Sequence, residues 1–172
     1  FRKLSLYNIA WDKVEVGLVD ERFVPTNDDA SNEKLVHENL LVNYASKANF
    51  TGMIYFTNDL FKNLEKVEEA YYKFSKNLTV SILGMGGDGH TASLFPGNKP
   101  SIDSLKDTDK SLVLNTLSSH TPRRRVSCGK SLLLSSEKLY LMIVGEQKLA
   151  VLNQAKALDL PIAYFQSKSD TY

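Results

Sequence analysis

A single cysteine, Cys128, stands in the 172 residues, which excludes an internal disulfide and any zinc site built on several thiolates. Such sparing use of thiols fits a reducing, cytoplasmic setting. Long apolar runs are equally scarce. The longest, such as Leu139 to Val144, are far too short to span a bilayer, and no basic-then-apolar leader is read at Phe1. Charge of one sign is not in excess either, with 21 Lys and Arg against 20 Asp and Glu. That balance excludes the global field that holds nucleic acid or an acidic membrane surface, so any bound anion is gripped locally. Internal repeats and low-complexity tracts are absent. What remains, 42% hydrophobic and 24% charged residues, is the composition of one globular domain over residues 1–172. Phe1 in place of Met and the abrupt end at Tyr172 suggest a domain without its N-terminal segment and C-terminal end.

Val14, Val16, Leu18 and Val19 form a β-branched apolar run that predicts a buried strand delivering Asp20, Glu21 and Arg22 from its end. Asn27, Asp28 and Asp29 are N-cap candidates for a following helix with Val36, Leu40 and Tyr44 on one face. A second unit repeats the plan. Met53 to Phe56 reads as a strand, Asn58 or Asp59 as a cap, and Leu64, Val67, Tyr71 and Phe74 as a helical stripe. Leu78 to Leu83 is a third strand that opens into glycines, and residues 98–110 read as a polar surface excursion. Ser111 to Leu117 and Lys138 to Val144 are further strands, a helix carries Leu149 and Leu152, and Ile162 to Phe165 is a last strand. The alternation predicts an α/β fold, a mainly parallel Rossmann-like sheet with helices on both faces and right-handed crossovers. Ligands bind such sheets beyond the carboxyl ends of the strands. Three places qualify: residues 20–22, the loop from Gly84 to Pro96, and Gly145 to Lys148.

Gly84-Met85-Gly86-Gly87-Asp88-Gly89 matches the dinucleotide-binding pattern in form only. That chemistry needs a long helix starting in the loop, and Pro96-Gly97 ends any helix within about two turns. A nicotinamide site is therefore rejected. The loop instead offers unobstructed backbone N–H groups beside a carboxylate and an imidazole, Asp88 and His90. An imidazole there is suited to take a proton from water. The structural alternative is that Asp88 caps a short helix from Thr91 to Phe95 and His90 merely packs. Flanking glycines and the strand-end position favour the chemical reading. His37 and His120 read as surface residues, with His120 near enough to Arg123-Arg124-Arg125 to approach the site.

The stretch from Val19 to Pro25 with Asn32, together with Leu83 to Gly97, closely resembles the 6-phosphogluconolactonase family. Arg125-Val126-Ser127 and Gly145-Glu146-Gln147-Lys148 are similar to two further stretches of it, and the resemblance runs over nearly the whole chain. It implies a sugar-phosphate isomerase-like α/β fold and hydrolysis of 6-phospho-glucono-1,5-lactone to 6-phosphogluconate, with no metal and no organic cofactor. In the implied mechanism His90 is the general base, and Asp88 or Asp20 orients the imidazole or the water. Gly86 and Gly87 would supply N–H groups to the oxyanion, and Arg22, Lys148 and Arg125 would hold the 6-phosphate.

The implied partner is a small phosphosugar lactone, with no nucleic acid and no membrane, for a monomer or homodimer. Three arginines without interleaved aromatics do not make a nucleic-acid patch. Two alternatives stand beside this reading. An amino-sugar-6-phosphate deaminase or isomerase shares the fold, but that family carries a glutamate five residues after the histidine, where this chain has Phe95. A non-catalytic sugar-phosphate sensor would have no need of Asp88 and His90 together.

Overall fold

Residues 14–22, expected as one buried strand with a polar end, fold as two short strands in the computed structural model, which describes residues 1–171. These are β1 (Glu15–Gly17) and β2 (Asp20–Arg22). The break falls at Leu18, whose amide donates to the buried Tyr71 hydroxyl at 2.9 Å instead of to a neighbouring strand. The same hydroxyl lies 3.1 Å from the Leu18 carbonyl and 3.2 Å from that of Thr51. The apolar run thus enters one sheet through β1, and the polar residues after it enter another as β2. Tyr172, where the chain ends, lies outside the described residues.

Helix α1 (Asn32–Asn39) is capped by Ser31, whose Oγ accepts from the Lys34 amide at 3.2 Å. The predicted cap Asp28 serves the preceding turn, accepting from the Ala30 amide at 2.8 Å. Val36 and Leu40 are buried, whereas Tyr44 falls beyond the helix in a 3-10 turn and is 49% exposed. Strand β3 (Asn49–Thr51) precedes the segment expected to be extended. The Tyr55 and Phe56 amides are instead taken by Asn63 Oδ1 at 2.7 and 3.1 Å, which removes them from any ladder. Helix α2 (Leu60–Tyr71) begins at the predicted cap Asp59 and buries Val67 and Tyr71.

After β4 (Val80–Leu83), the polar excursion contains a short helix, α3 (Lys99–Ser104). Asn98 caps it, and Ser101, Ser104 and Leu105 are buried, so a segment that looked solvated packs on the core. Strands β5 (Val113–Leu117) and β6 (Arg124–Cys128), helix α4 (Lys130–Ser135), strand β7 (Lys138–Leu141) and helix α5 (Glu146–Gln154) follow. The predicted last strand is a helical turn, α6 (Ala163–Gln166). Ile162 and Phe165 are fully buried, and their three-residue spacing suits one side of a turn better than alternate faces of a strand. Strand β8 (Ser169–Thr171) completes the described backbone.

The fold is mixed α/β. β1 pairs with β3, and β4 with β7 and β7 with β8, all parallel, while β6 lies antiparallel between β2 and β5. In place of one mainly parallel sheet there are two small parallel sheets and an antiparallel one, because β2 leaves the parallel direction after Leu18. Tyr71, Phe165, Leu132, Leu133, Leu139 and Leu141 are among the largest fully buried side chains of the core. Among the described residues no helix is long and apolar enough to cross a membrane.

Candidate active site

The antiparallel sheet and the loop after β4 face each other across a cleft of about 420 Å³. In β2 the alternation of a strand decides which residues reach it. Asp20 and Arg22 line the cleft and Glu21, between them, is fully buried on the other side. Register then sets Asp20 opposite Ser127 and Arg22 opposite Arg125, which brings two guanidinium groups to one wall.

Glu21 is the residue that sequence reasoning named only as part of a motif. Its Oε1 accepts from the amides of Arg22 and Asn32, both at 2.7 Å. Its Oε2 accepts from the Glu33 amide at 2.7 Å and the Ser31 hydroxyl at 3.0 Å. A buried carboxylate thereby satisfies the first turn of α1, where backbone N–H groups have no helical partner. Asn32, fixed at that helix start, donates Nδ2–H to the Asp20 carbonyl at 2.8 Å and approaches Asp20 Oδ1 at 3.3 Å.

The glycine loop folds back on itself and starts no helix. The Gly86 amide donates to the His90 carbonyl at 2.9 Å and the Gly89 amide to the Gly86 carbonyl at 3.1 Å. Thr91 Oγ1 donates to the Gly84 carbonyl at 2.8 Å, and Ala92 takes a left-handed φ of 47°. The short helix from Thr91 to Phe95 does not form; an isolated bridge between Thr91 and Leu94 stands there. Asp88 therefore caps nothing and serves His90. Its Oδ1 lies 2.5 Å from His90 Nδ1 and accepts from the His90 amide at 3.1 Å. Partial burial pushes the Asp88 carboxyl up, but the His90 amide, the His90 ring bond and its charge outweigh it and hold the group below its ordinary value. The ring packs over Gly86, where a Cβ would collide with Cε1 and Nδ1, and against Phe95 at 4.8 Å between centroids.

Asp20 stands elsewhere in the same cleft. Its Oδ2 accepts from Ser93 Oγ at 2.7 Å, and the Ser93 amide in turn donates to Ser127 Oγ at 3.1 Å. Thr116 Oγ1 donates to the Ser93 carbonyl at 2.7 Å, so β5, β6 and the loop are tied at one buried serine. Of the glycine pair, Gly86 has its N–H committed to His90, and Gly87 lines the cleft with open space above its Cα.

Arg125 is buried, donates to the Pro122 carbonyl, and has its guanidinium pKa pushed down by burial and then by the neighbouring Arg22 charge. Arg22 Nη1 donates to the Ala30 carbonyl at 2.5 Å. Lys148 stands half-buried in the first turn of α5, outside the residues that line the cleft. His37 stacks edge-on with Phe50 at 4.9 Å between centroids and takes no part. His120, expected at the surface but near enough to the arginines to approach the site, is exposed and lines the cleft. Ser93 and Asn32 sat inside the two family-like stretches and were legible as neighbours of the site, whereas nothing in the local sequence marks Thr116 or Ser118.

Among the described residues no three His, Cys, Asp or Glu side chains converge as a metal site requires. Burial pushes the Cys128 thiol up, which leaves it a packing group.

The pattern shared by glucosamine-6-phosphate isomerases and 6-phosphogluconolactonases matches residues 1–172. The chain belongs to that family. A Helicobacter pylori protein named 6-phosphogluconolactonase is 36% identical over 164 residues, covering 93% of this chain and 68% of its own length. One from Pseudomonas putida is 37% identical over 184 residues, covering 99% of this chain and 72% of its own. The crystal structure of a 6-phosphogluconolactonase from Shewanella baltica superposes with a TM-score of 0.86 at 36% identity, over 99% of this chain and 75% of that one. The isomerase/lactonase family thus extends past the cleft to the whole of this chain, which spans about two thirds to three quarters of these relatives.

Proposed function

We propose that this chain hydrolyses 6-phospho-glucono-1,5-lactone to 6-phosphogluconate, the lactonase step of the oxidative pentose phosphate pathway. The observation that carries the mechanism is one cleft holding an Asp88–His90 pair on one side and the Arg22–Arg125 pair on the other. Membership of the family and the likeness to proteins named 6-phosphogluconolactonase support the substrate.

Asp88 accepts Nδ1–H and so leaves the Nε2 lone pair of His90 to act as base. Water bound at Nε2 gives its proton to His90 as its oxygen bonds to the lactone carbonyl carbon. The developing oxyanion lies against the Gly87 N–H, the amide of the glycine pair that the loop does not use itself. When the tetrahedral species collapses, the ring C–O bond breaks and the His90 imidazolium returns its proton to the departing ring oxygen. The product is an open-chain hydroxy acid, and no metal or organic cofactor enters the balance. Asp20, held by Ser93 and Asn32, faces the water from the second wall. Arg22 and Arg125 take the 6-phosphate, for which paired guanidinium groups are matched in charge and geometry.

Phe95 bears against the deaminase reading, since an aromatic ring beside His90 supplies no carboxylate for ring-opening proton transfer. The test is hydrolysis of freshly generated 6-phosphogluconolactone above its spontaneous rate, with His90→Ala alongside. The parent accelerates the reaction and the variant loses about 10²- to 10⁴-fold of kcat. A folded parent that binds 6-phosphogluconate without turnover is a sensor, and equal rates in parent and variant remove His90 as the base.

A further inference from the structure

The wall that carries the two arginines also carries a group the mechanism above does not use. Between β5 and β6 the chain turns tightly, closed by the Ser118 amide on the Arg123 carbonyl at 2.8 Å. The buried Ser118 Oγ accepts from the His120 amide at 3.0 Å, which fixes the backbone at the tip of the turn. Ser119 Oγ lies 3.0 Å from His120 Nδ1, so Nε2 is the ring nitrogen left to meet a ligand. Arg125 reaches back to the Pro122 carbonyl, which lays its guanidinium against this same turn. Ser118, His120, Arg125 and Arg22 thus all line one side of the cleft.

Charge is spread unevenly over the two sides. The loop after β4 brings the Asp88 carboxylate, which repels an anion. The paired strands also bring a carboxylate, Asp20, held by Ser93 and Asn32, but they set beside it two guanidinium groups that repel one another until an anion lies between them. The anionic end of a ligand therefore settles on the turn side, within the wall that His120 shares.

We propose that His120 is a further substrate-binding residue, which with Arg22 and Arg125 holds the phosphate of the sugar lactone through its Nε2–H. This rests on the reading of the cleft as a phosphosugar site. Its consequence is specificity, because the contact exists only for a substrate that carries the phosphate.

The test compares parent and His120→Ala on 6-phosphogluconolactone and on unphosphorylated gluconolactone, with 6-phosphogluconate binding measured by calorimetry in both proteins. His120 is exposed, so its truncation leaves the core untouched. For the phosphorylated lactone KM rises about tenfold with kcat within about twofold, the loss of one charged hydrogen bond in a partly open site. For gluconolactone kcat/KM stays the same. An unchanged KM, or an equal loss on both lactones, overturns the proposal. If the parent fails to hydrolyse the lactone, the lactonase reading falls on its own. The calorimetric Kd then decides His120: a rise of about tenfold supports it, and an unchanged Kd overturns it.

Discussion

Replacing Glu21 by Gln preserves volume and removes one acceptor oxygen from a fully buried carboxylate that now serves four donors. The single remaining carbonyl can face the Arg22 and Asn32 amides, or the Ser31 hydroxyl and the Glu33 amide, but not both pairs. Either way the new NH₂ group faces a backbone N–H. Hydrogen bonds to a charged group contribute about 1.5–3 kcal/mol each, and an orphaned buried donor costs about 1–3 kcal/mol. One orphaned amide, together with weaker bonds at the remaining pair, comes to roughly 3 kcal/mol. Relief of the repulsion between Glu21 and Glu33 offsets part of this. With roughly 2 kcal/mol left, and about 2–4 °C of Tm for each kcal/mol in a chain of this size, Glu21→Gln melts about 4–8 °C below the parent. Thermal and urea melts read the loss directly. Lactonase activity should fall with it even below the transition, because Asp20 and Arg22 flank the substituted residue in β2. A Tm within about 2 °C of the parent would refute the view that this carboxylate holds the helix start and the strand together.

Gly86→Ala places a methyl group where the His90 ring lies, so the ring is displaced from Asp88 and kcat falls about 10²-fold in steady-state kinetics. Gly84→Ala, which meets open space and lies outside the residues that line the cleft, serves as the folded control. Glu33→Gln should raise Tm at pH 7. Burial and then the Glu21 charge raise the Glu33 carboxyl, and its Oε2 is buried without a partner. An acid whose folded pKa is raised destabilises the fold above that pKa and is without effect below its unfolded value. The gain from Glu33→Gln is therefore complete at neutral pH and disappears as pH falls through the ordinary carboxylate range, which melts at several pH values will show.

The site was more legible in the sequence than the sheet. Asp88, His90 and Gly87 could be read because strand-end position and unobstructed backbone are local properties of a short stretch. Asp20 and Arg22 followed from their place after an apolar run. What escaped was set at long range. The split of residues 14–22 depends on the Tyr71 hydroxyl, 53 residues away, which no window around Leu18 contains. Ile162 to Phe165 has the composition of a strand, yet burial at three-residue spacing makes it a turn of helix. Residues 98–110 looked solvated because serines carry the buried face of α3. That His120 could approach the site was legible from its nearness to the arginines, but its place on the cleft wall is set by the pairing of β5 with β6, whose register local patterning does not determine.

The three residues of β2 point alternately, and this makes the chemistry hostage to spacing. Inserting or deleting one residue at Leu18 or Val19 would turn Asp20 and Arg22 inward and send Glu21 into the cleft. No side chain would be lost, yet every role on that wall would be exchanged. Among relatives of this chain, length should therefore be invariant between the Tyr71-bound amide and the first turn of α1.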